Sequence, residues 1–377
     1  MISLIDRPPG LILSDTPAWF KVANTAEENK RVSAEISAQS GYITTVHAYA
    51  SLQDTALFEL SEVFASALSY QSDSLSTPGA LHGVVTGDII QEFSISFKDA
   101  DGGGFTEQIT VLLGFLTPDI FMKINYGSQG VRSISDYLSS SPILSFKPRH
   151  IPVHYPGQPE VFYLCSPQSL GVSVTVKKIF TDGSQSSSQA ASFSVSANTL
   201  YYINASYAAL FGGGQSPGTS PLAAYHVTIS ASGVPPVTYH FEVRFTARAE
   251  GSFLFYNALG GMDSFTPTGV TSMASGTSAR FQRVTHPPGV RESLFKRTSH
   301  SVSHIVSCNT GYLSGDQARW LSQLVFSKAA FWHSRKGNTF PISIVSSNID
   351  VKMFSPYLES GEIKFTYNPV NAAESLS

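Results

Sequence analysis

The sequence predicts a mainly β protein with a minor α+β part, built from tandem β-sandwich-like domains. Aromatic residues make up 12% of the 377 residues and charged residues only 14%, a composition that suits half-buried pleated sheets. Runs of alternating apolar and polar residues recur along the chain, as expected for strands with one buried face. The 29 glycines and 21 prolines supply the many turns that such strands need.

The length predicts more than one domain, since a domain usually holds about 100–200 residues. We place a β-rich N-terminal domain at residues 1–146 and a Pro-rich connector at 147–160. A β-sandwich domain follows at 161–250, and a mixed α+β domain with one main helix at 251–377. The connector is defined by closely spaced prolines, which are excluded from the interior of a sheet ladder.

In the N-terminal domain, a hairpin around a Gly-rich loop is the clearest element. Its apolar residues recur at every second position: Phe93, Ile95, Phe97, Ile109, Val111 and Leu113. Residues 41–50 predict another strand. Ser61 is expected to cap a short helix whose apolar face holds Val63, Phe64, Ala67 and Leu68.

Two local sequence patterns predict elements of the later domains. The valines at 172, 174 and 176 alternate with polar residues, and the Asp182-Gly183 pair after them predicts a hairpin turn. Near the end, Ser314 and Gln317 have the spacing of a helix capping box. Leu321, Leu324 and Val325 then recur at helical spacing, which predicts the main helix of the last domain.

The stretch FLFYNALGGMDSFTPTG, residues 253–269, begins as a strand and then turns. Gly260 and Gly261 allow backbone angles that other residues resist. Asp263 can close a turn through its own carboxylate. We therefore predict a structural corner that leads one domain into the next.

The nucleophile motif G-x-S-x-G occurs at residues 214–218 and would make Ser216 a catalytic serine. That motif works only where a strand turns directly into a helix. Pro217 and Pro221 follow at once and no helical pattern appears. We therefore predict no catalytic residue, and the absence of a phosphate-binding or dinucleotide-binding glycine motif predicts no cofactor.

A calcium loop is suggested by Asp99 and Asp101, which stand two residues apart before three glycines. The twelfth position of such a loop needs an acidic ligand, and here it is Thr110. Because Asp and Gly also favour turns, the segment predicts the loop of the hairpin.

Histidine pairs give no metal site either. His300 and His304 would share one face of a helix, but the surrounding alternation predicts a strand, on which they stand about 13 Å apart. His150 and His154 flank Pro152, so they do not lie inside a helix. The sequence therefore predicts no metal.

Charge and hydropathy bear on partners and location. The net charge is −3 and no basic cluster appears, which argues against nucleic-acid binding. The longest strongly apolar run, residues 109–116, is far shorter than the about 20 residues of a membrane helix. Asp6 and two prolines interrupt the apolar core that a signal peptide needs. We expect Cys165 and Cys308 to be buried thiols, which require no oxidising compartment.

The corner also carries a resemblance. The pattern F-x-N-x-x-G-x-x-D-x-x-x-x-T-G, held by Phe255, Asn257, Gly260, Asp263, Thr268 and Gly269, is similar to large structural proteins encoded in prophages of gut bacteria. The Pro-rich segment, the Asp-Gly turn, the late helix and the closing strands follow the same order over about residues 140–370. The resemblance implies a tail or baseplate component that is made in the bacterial cytoplasm and assembled into a virion or tail-like particle. It transfers no functional residues, because these proteins are mostly uncharacterised.

Three functions are compatible with these observations. The first is a structural or assembly protein whose partners are copies of itself and other phage structural proteins. The second is a carbohydrate- or cell-surface-binding module that recognises a host-surface glycan. The aromatic content of the chain favours this function. Trp19 and Trp332 could stack on sugars, whereas Trp320 lies in the predicted helix and is expected in the core. The third is a hydrolase on a β scaffold.

Overall fold

The computed structural model describes residues 2–25, 30–39, 41–51, 54–69, 80–115, 133–212, 221–245, 249–283, 295–348 and 359–367. Strands dominate these residues and the helices are short, which confirms the predicted mainly β class with a minor helical part. The chain divides into two compact units. Unit 1 holds Met1–Phe245 and Leu254–Ser264, and unit 2 holds Thr246–Phe253 and Phe265–Ser377. The finer division into four segments stays a prediction.

The first part of unit 1 is built from short strands and one helix. In chain order they are β1 (Ile2–Asp6), β2 (Leu11–Leu13), β3 (Trp19–Asn24), β4 (Arg31–Ala38), β5 (Gly41–Tyr49), β6 (Thr55–Glu59), α1 (Ser61–Ala67), β7 (His82–Val84), β8 (Ile90–Asp99) and β9 (Gly104–Leu112). They form a three-stranded sheet, β1-β3-β6, and a five-stranded sheet, β2-β9-β8-β4-β5. The predicted hairpin is confirmed as β8 and β9, with Phe93 opposite Ile109.

An aromatic cluster joins these two sheets face to face. Phe97 of the larger sheet is fully buried. Its ring centroid lies 5.6 Å from that of Phe20 and 5.4 Å from that of Phe58, both in the smaller sheet. Phe105 adds a third ring at 5.1 Å. The alternating pattern of the sequence thus produces the inner faces of a two-layer sandwich.

Helix α1 forms where the sequence predicts it, but its N-cap residue is not the predicted one. It begins at Ser61, as expected, and buries Phe64. The N-cap residue, however, is Leu60, which makes no side-chain cap hydrogen bond. Instead the carboxylate of Glu59 accepts from the amide of Ser61 at 3.1 Å. The predicted capping role of Ser61 is therefore wrong, because the residue lies one position inside the helix.

The later part of unit 1 is a second sandwich. Its elements are α2 (Ile134–Ser140), β10 (His150–Val153), β11 (Val161–Leu164), β12 (Leu170–Phe180), β13 (Gln185–Val195), β14 (Tyr201–Asn204), α3 (Tyr207–Phe211), β15 (Leu222–Ala231) and β16 (Val234–Val243). The sheets have the orders β10-β16-β15-β12-β13 and β11-β14-β7. Phe162 and Ile203 of the smaller sheet share one hydrophobic core with Val174, Tyr225 and Phe241 of the larger. Strand β7, from the first part of the chain, completes the smaller sheet.

The Pro-rich segment 147–160 is packed into this sandwich. Strand β10 pairs in parallel with β16 and lies at the edge of the larger sheet. That edge position tolerates Pro152, which has no N–H to donate. Tyr155, Gln158 and Glu160, farther along, are all buried. The segment expected to be an extended connector therefore contributes both a strand and core residues.

The last elements form a seven-stranded sheet with two short helices. They are β17 (Gly251–Tyr256), β18 (Met262–Phe265), β19 (Thr271–Arg283), β20 (Phe295–Leu313), α4 (Gly315–Leu321), α5 (Gln323–Phe326), β21 (Ala330–Ser334), β22 (Thr339–Asn348) and β23 (Glu359–Tyr367). The order of the sheet is β18-β17-β21-β22-β23-β20-β19. The division between the two units falls within β17 and at the end of β18.

The main predicted helix starts as expected but is interrupted. Ser314 and Gln317 form the capping box in both directions. Helix α4 ends at Leu321, and α5 begins two residues later after Ser322. Leu321 and Leu324 are buried, whereas Val325 is 41% exposed, so its predicted place on the apolar face is wrong. Around Ser322, its amide donates to the carbonyl of Ala318 at 3.0 Å, and the amide of Val325 donates to the carbonyl of Ser322 at 3.0 Å. No helix of the described segments is long and apolar enough to span a bilayer.

We expect Phe97→Ala to lower the free energy of unfolding by about 3–5 kcal/mol, because it empties the centre of the aromatic cluster. Chemical denaturation followed by intrinsic fluorescence measures this loss. The control is Tyr49→Ala on β5, where the side chain is 72% exposed and a change within about 0.5 kcal/mol is expected. Equal losses for the two variants would contradict the assignment of Phe97 to the core.

Candidate functional site

The corner predicted at residues 253–269 is a buried turn. Every residue of β17 is buried, so neither face of this strand meets solvent. After it, the side-chain oxygen of Asn257 accepts from the amides of Leu259 and Gly261 at 3.0 and 3.1 Å. Its side-chain nitrogen donates to the carbonyl of Leu144 at 2.6 Å. Asn257 therefore both closes the turn and attaches it to a distant segment.

Sequence reasoning missed this role of Asn257, although a signal was present. An asparagine shortly before a pair of glycines favours a turn in which the side chain bonds the backbone that follows.

Gly260 and Gly261 let two other backbone segments approach the corner. Gly260 has a φ of +78°, and a Cβ atom there would lie 2.1 Å from the carbonyl oxygen of Leu113. A Cβ at Gly261 would lie 2.1 Å from the carbonyl oxygen of Leu144. Both distances are impossible for real atoms, so only glycine fits at either position. The corner is thus in direct backbone contact with the end of β9 and with the segment before the prolines.

Asp263, the third residue predicted for the corner, lies in β18 with 1% of its surface exposed. The hydroxyl of Ser145 donates to its carboxylate at 2.6 Å. The same hydroxyl accepts from the amide of Lys147 at 3.0 Å. Asp263 therefore connects β18 to the start of the Pro-rich segment, far from its own position in the sequence.

An ion pair lies beside this contact. The ammonium group of Lys147 binds the carboxylate of Glu160, with side chains only 6% and 2% exposed. The hydroxyl of Ser264 accepts from Lys147 at 2.8 Å and donates to Glu160 at 3.1 Å. The side-chain amide of Gln158 donates to the other oxygen of Glu160 at 2.9 Å. Both charges therefore have several polar partners.

We call these residues the corner network: Ser145, Lys147, Gln158, Glu160, Asp263 and Ser264. Burying a charge costs several kcal/mol unless hydrogen bonds and an opposite charge replace water. Here three separated stretches of chain supply the replacement, residues 145–147, 158–160 and 263–264. The arrangement serves to hold the corner in one position, and the sequence signal for it was only a set of polar residues among prolines.

The network charges act on two neighbouring tyrosines of the sandwich. Burial raises the pKa of Tyr225 well above its usual value, and the charge of Glu160 raises it further. Burial likewise raises the pKa of Tyr239, with the charge of Asp263 adding to it. Tyr225 donates its hydroxyl proton to the carbonyl of Ala205 at 3.1 Å. These phenols therefore remain protonated packing groups.

His154 is a buried titratable group close to the network in sequence. Its amide donates to the side chain of Gln158 at 2.8 Å. Among the described residues, neither ring nitrogen has a hydrogen-bond partner of ordinary geometry. Burial lowers the pKa of His154, and the charge of Arg244 lowers it further. The imidazole is therefore neutral at physiological pH.

The other residues considered from sequence are turns, thiols and strand positions. The Asp182-Gly183 turn joins β12 to β13, with Gly183 at a φ of +82° and the amide of Ser184 donating to Asp182 at 2.8 Å. The carboxylate of Asp99 accepts from the amides of Asp101 and Gly103 at 3.1 and 2.7 Å, as the turn interpretation predicts.

Both cysteines are free and buried, as expected. Burial raises the pKa of Cys165 to about 12 and that of Cys308 to about 11. Such thiols stay protonated and unreactive.

His300 and His304 stand on β20, four positions apart, as the alternation predicted. Ser216 lies outside the described residues. Within the described segments, no group of three His, Cys, Asp or Glu side chains is arranged to hold a metal ion.

Comparisons with known proteins assign no family. No family model matches the chain, and no curated protein matches it. Among solved structures, a mutant Salmonella alpha-2-macroglobulin aligns at 8% identity and a TM-score of 0.21, covering 91% of this chain and 24% of that one. Squid arrestin aligns at 10% identity and 0.18, covering 65% and 94%. A tetra-tandem repeat from a large adhesion protein aligns at 10% and 0.20, covering 97% and 80%. Alignments at these scores carry no information on function.

We expect Gly260→Ala to destabilise unit 1 by more than about 4 kcal/mol, because the new methyl group overlaps the carbonyl of Leu113. The matched control is Gly183→Ala. That glycine also has a positive φ, but no atom of the described residues lies within 4 Å of its Cβ position, so only the about 1–2 kcal/mol of left-handed strain is expected. Urea unfolding measures both. Equal costs would show that the corner does not require close backbone approach.

We expect Lys147→Met to cost about 3–5 kcal/mol, because it leaves the buried carboxylate of Glu160 without its counter-charge. The double variant Lys147→Met/Glu160→Gln should recover a large part of this loss. The exposed pair Lys98–Glu35 provides the control, since Lys98→Met should cost less than about 1 kcal/mol. A double variant as unstable as Lys147→Met alone would contradict the ion-pair interpretation.

Proposed function

We propose that this protein is a structural or assembly component of a phage tail, baseplate or related virion or injection particle, acting through protein–protein contacts. The observation that carries the proposal is a two-stranded ribbon in unit 2. Residues 305–308 of β20 pair with β19 on one side and with β23 on the other. Residues 275–283 and 295–304 pair only with each other within the described chain. We call these residues the ribbon.

The ribbon is long enough to act as an arm. At about 3.3 Å per residue, its nine or ten residues per strand extend roughly 30 Å beyond the pairing with β23. A pair of strands alone is only marginally stable in water, and its outer edges carry backbone groups that seek partners. Contact with another subunit supplies the missing surface. A heterologous contact of this kind, repeated around an axis, closes into a ring.

The net charge of the ribbon is opposite to that of the remainder of the chain, which favours a second copy of the chain as the partner. Its described positions hold Arg280, Arg283, Lys296 and Arg297 and no acidic residue, whereas the whole chain has 24 basic and 27 acidic residues. The remainder of the chain is therefore acidic in balance. Opposite net charges steer association and favour one orientation, which supports docking of the ribbon on a second copy.

Replacing residues 276–303 with an Asn-Gly turn tests this proposal, since such a turn joins two antiparallel strands directly. We expect the full chain to form oligomers by light scattering and the shortened chain to remain a smaller species with an unchanged melting temperature. The control Arg280→Gln/Arg283→Gln should give intermediate association that falls with added salt. A full chain that stays monomeric at all concentrations, and joins no particle when produced with its genomic neighbours, would contradict the proposal.

A second candidate function, glycan binding, is favoured by one surface feature. A shallow open depression of about 570 Å³ lies at one end of the larger sheet of the second sandwich. Its lining includes Ser173, Ser192, Ser194, Ser230 and Ser232, whose hydroxyl groups can donate to and accept from sugar hydroxyls. A glycan array separates the two candidates, because a pure scaffold shows no saccharide preference.

A further inference from the structure

Three histidines and a lysine form one row across four strands of the second sandwich. In the larger sheet, His150 of β10 is opposite His240 of β16, and His240 is opposite His226 of β15. Lys177 of β12 is in turn opposite His226. Residues that face each other on neighbouring strands share one face of the sheet. We call these four residues the histidine row.

The histidine row lies on the outer face of the sandwich. The residues on either side of His226 and of His240 along their strands are buried in the core. Because successive side chains of a strand point to opposite faces, the histidines point outward. His150 is exposed, and the other three members are half-buried. A partner molecule can therefore reach the row.

The imidazole rings are in contact with one another. The centroids of His150 and His240 are 4.8 Å apart and their planes differ by 12°. The centroids of His226 and His240 are 4.2 Å apart, with the rings nearly perpendicular. Protonation of all three rings would place three like charges within a few ångströms.

The charged groups around the row are mainly cationic. Arg149 precedes β10, and Lys177 ends the row on β12. Burial lowers the pKa of His226, and the charges of His240, Lys177 and His150 lower it further. For His240 the causes are burial, then His150 and Arg149.

Among the described residues of these strands, the carboxylate beside the row on this face is that of Glu242 of β16, two positions from His240. Its carboxylate is paired with Arg244 at 2.7 Å. On the other side of Lys177, the residue opposite it on β13 is Ser187, which does not titrate.

From this arrangement we propose that the histidine row is a docking surface for an acidic segment of a partner protein, and that docking strengthens as the pH falls. Because their pKa values are lowered, His226 and His240 are mostly uncharged at neutral pH, and Arg149 and Lys177 are the cations beside them. Below the pKa of the imidazoles, the row becomes a line of positive charge that carboxylates of a partner neutralise. The partner's charge raises the imidazole pKa values, and by linkage each proton taken up strengthens binding. The row belongs to unit 1 and the ribbon to unit 2, so this proposal does not depend on the ribbon.

Binding of a fluorescent oligo-aspartate peptide to the full chain tests the proposal, with a Gly-Ser peptide of equal length as the neutral control. We expect affinity at about pH 5.5 to exceed that at about pH 7.5 by up to about tenfold for each imidazole whose pKa rises by about one unit on binding. The variant His226→Gln/His240→Gln should lose this pH dependence. His47→Gln, at an exposed histidine on β5, should keep it.

A second variant separates docking from a structural role. Lys177→Glu should raise the imidazole pKa values of His226 and His240, which NMR titration measures. The same variant should nevertheless weaken peptide binding at low pH. Equal peptide affinity at both pH values, or full pH dependence in the double histidine variant, would overturn the proposal. So would micromolar zinc binding to the same three rings with no response to the peptide, since it would identify the row as a metal site.

Discussion

The arrangement of the polar interior of unit 1 depends on the compensation of two buried charges, those of a lysine and a glutamate. Lys147 and Glu160 are shielded almost completely from water, so each must find its hydrogen bonds inside the protein. Ser264 and Gln158 provide them. These groups come from the Pro-rich segment and from the strand that follows the glycine corner. The chain therefore reaches a low free energy only when these distant stretches lie in one arrangement, which gives the polar core its specificity.

Backbone contact acts together with these charges. The corner approaches the end of β9 through Gly260, and it approaches Leu144, just before the Pro-rich segment, through Gly261. Asn257 closes the turn and also holds the carbonyl of Leu144. Hydrogen bonds and close packing thus fix the same corner from several sides. An interior fixed in this way is compatible with the assembly role that we propose.

The surfaces contrast with this interior. The ribbon extends past the pairing with β23 and has a basic composition. The histidine row lies on the outer face of a sandwich, where protonation of His226 and His240 requires a pH below their lowered pKa values. In our proposals, the ribbon binds a partner of opposite net charge, and the histidine row binds an acidic partner more strongly as the pH falls.

Local patterns in the sequence determined much of the fold. Alternation at Phe93, Ile95 and Phe97 predicts β8, and the Asp182-Gly183 pair predicts the turn between β12 and β13. The spacing of Ser314 and Gln317 predicts the start of α4. Each of these signals depends only on neighbouring residues. The tertiary structure alone decided that Pro152 lies in a paired edge strand, that Lys147 meets Glu160 and Ser264, and that three histidines from three strands form a row. Those outcomes depend on strand register and on burial, which arise from contacts between residues far apart in the chain, and no short stretch of sequence contains them.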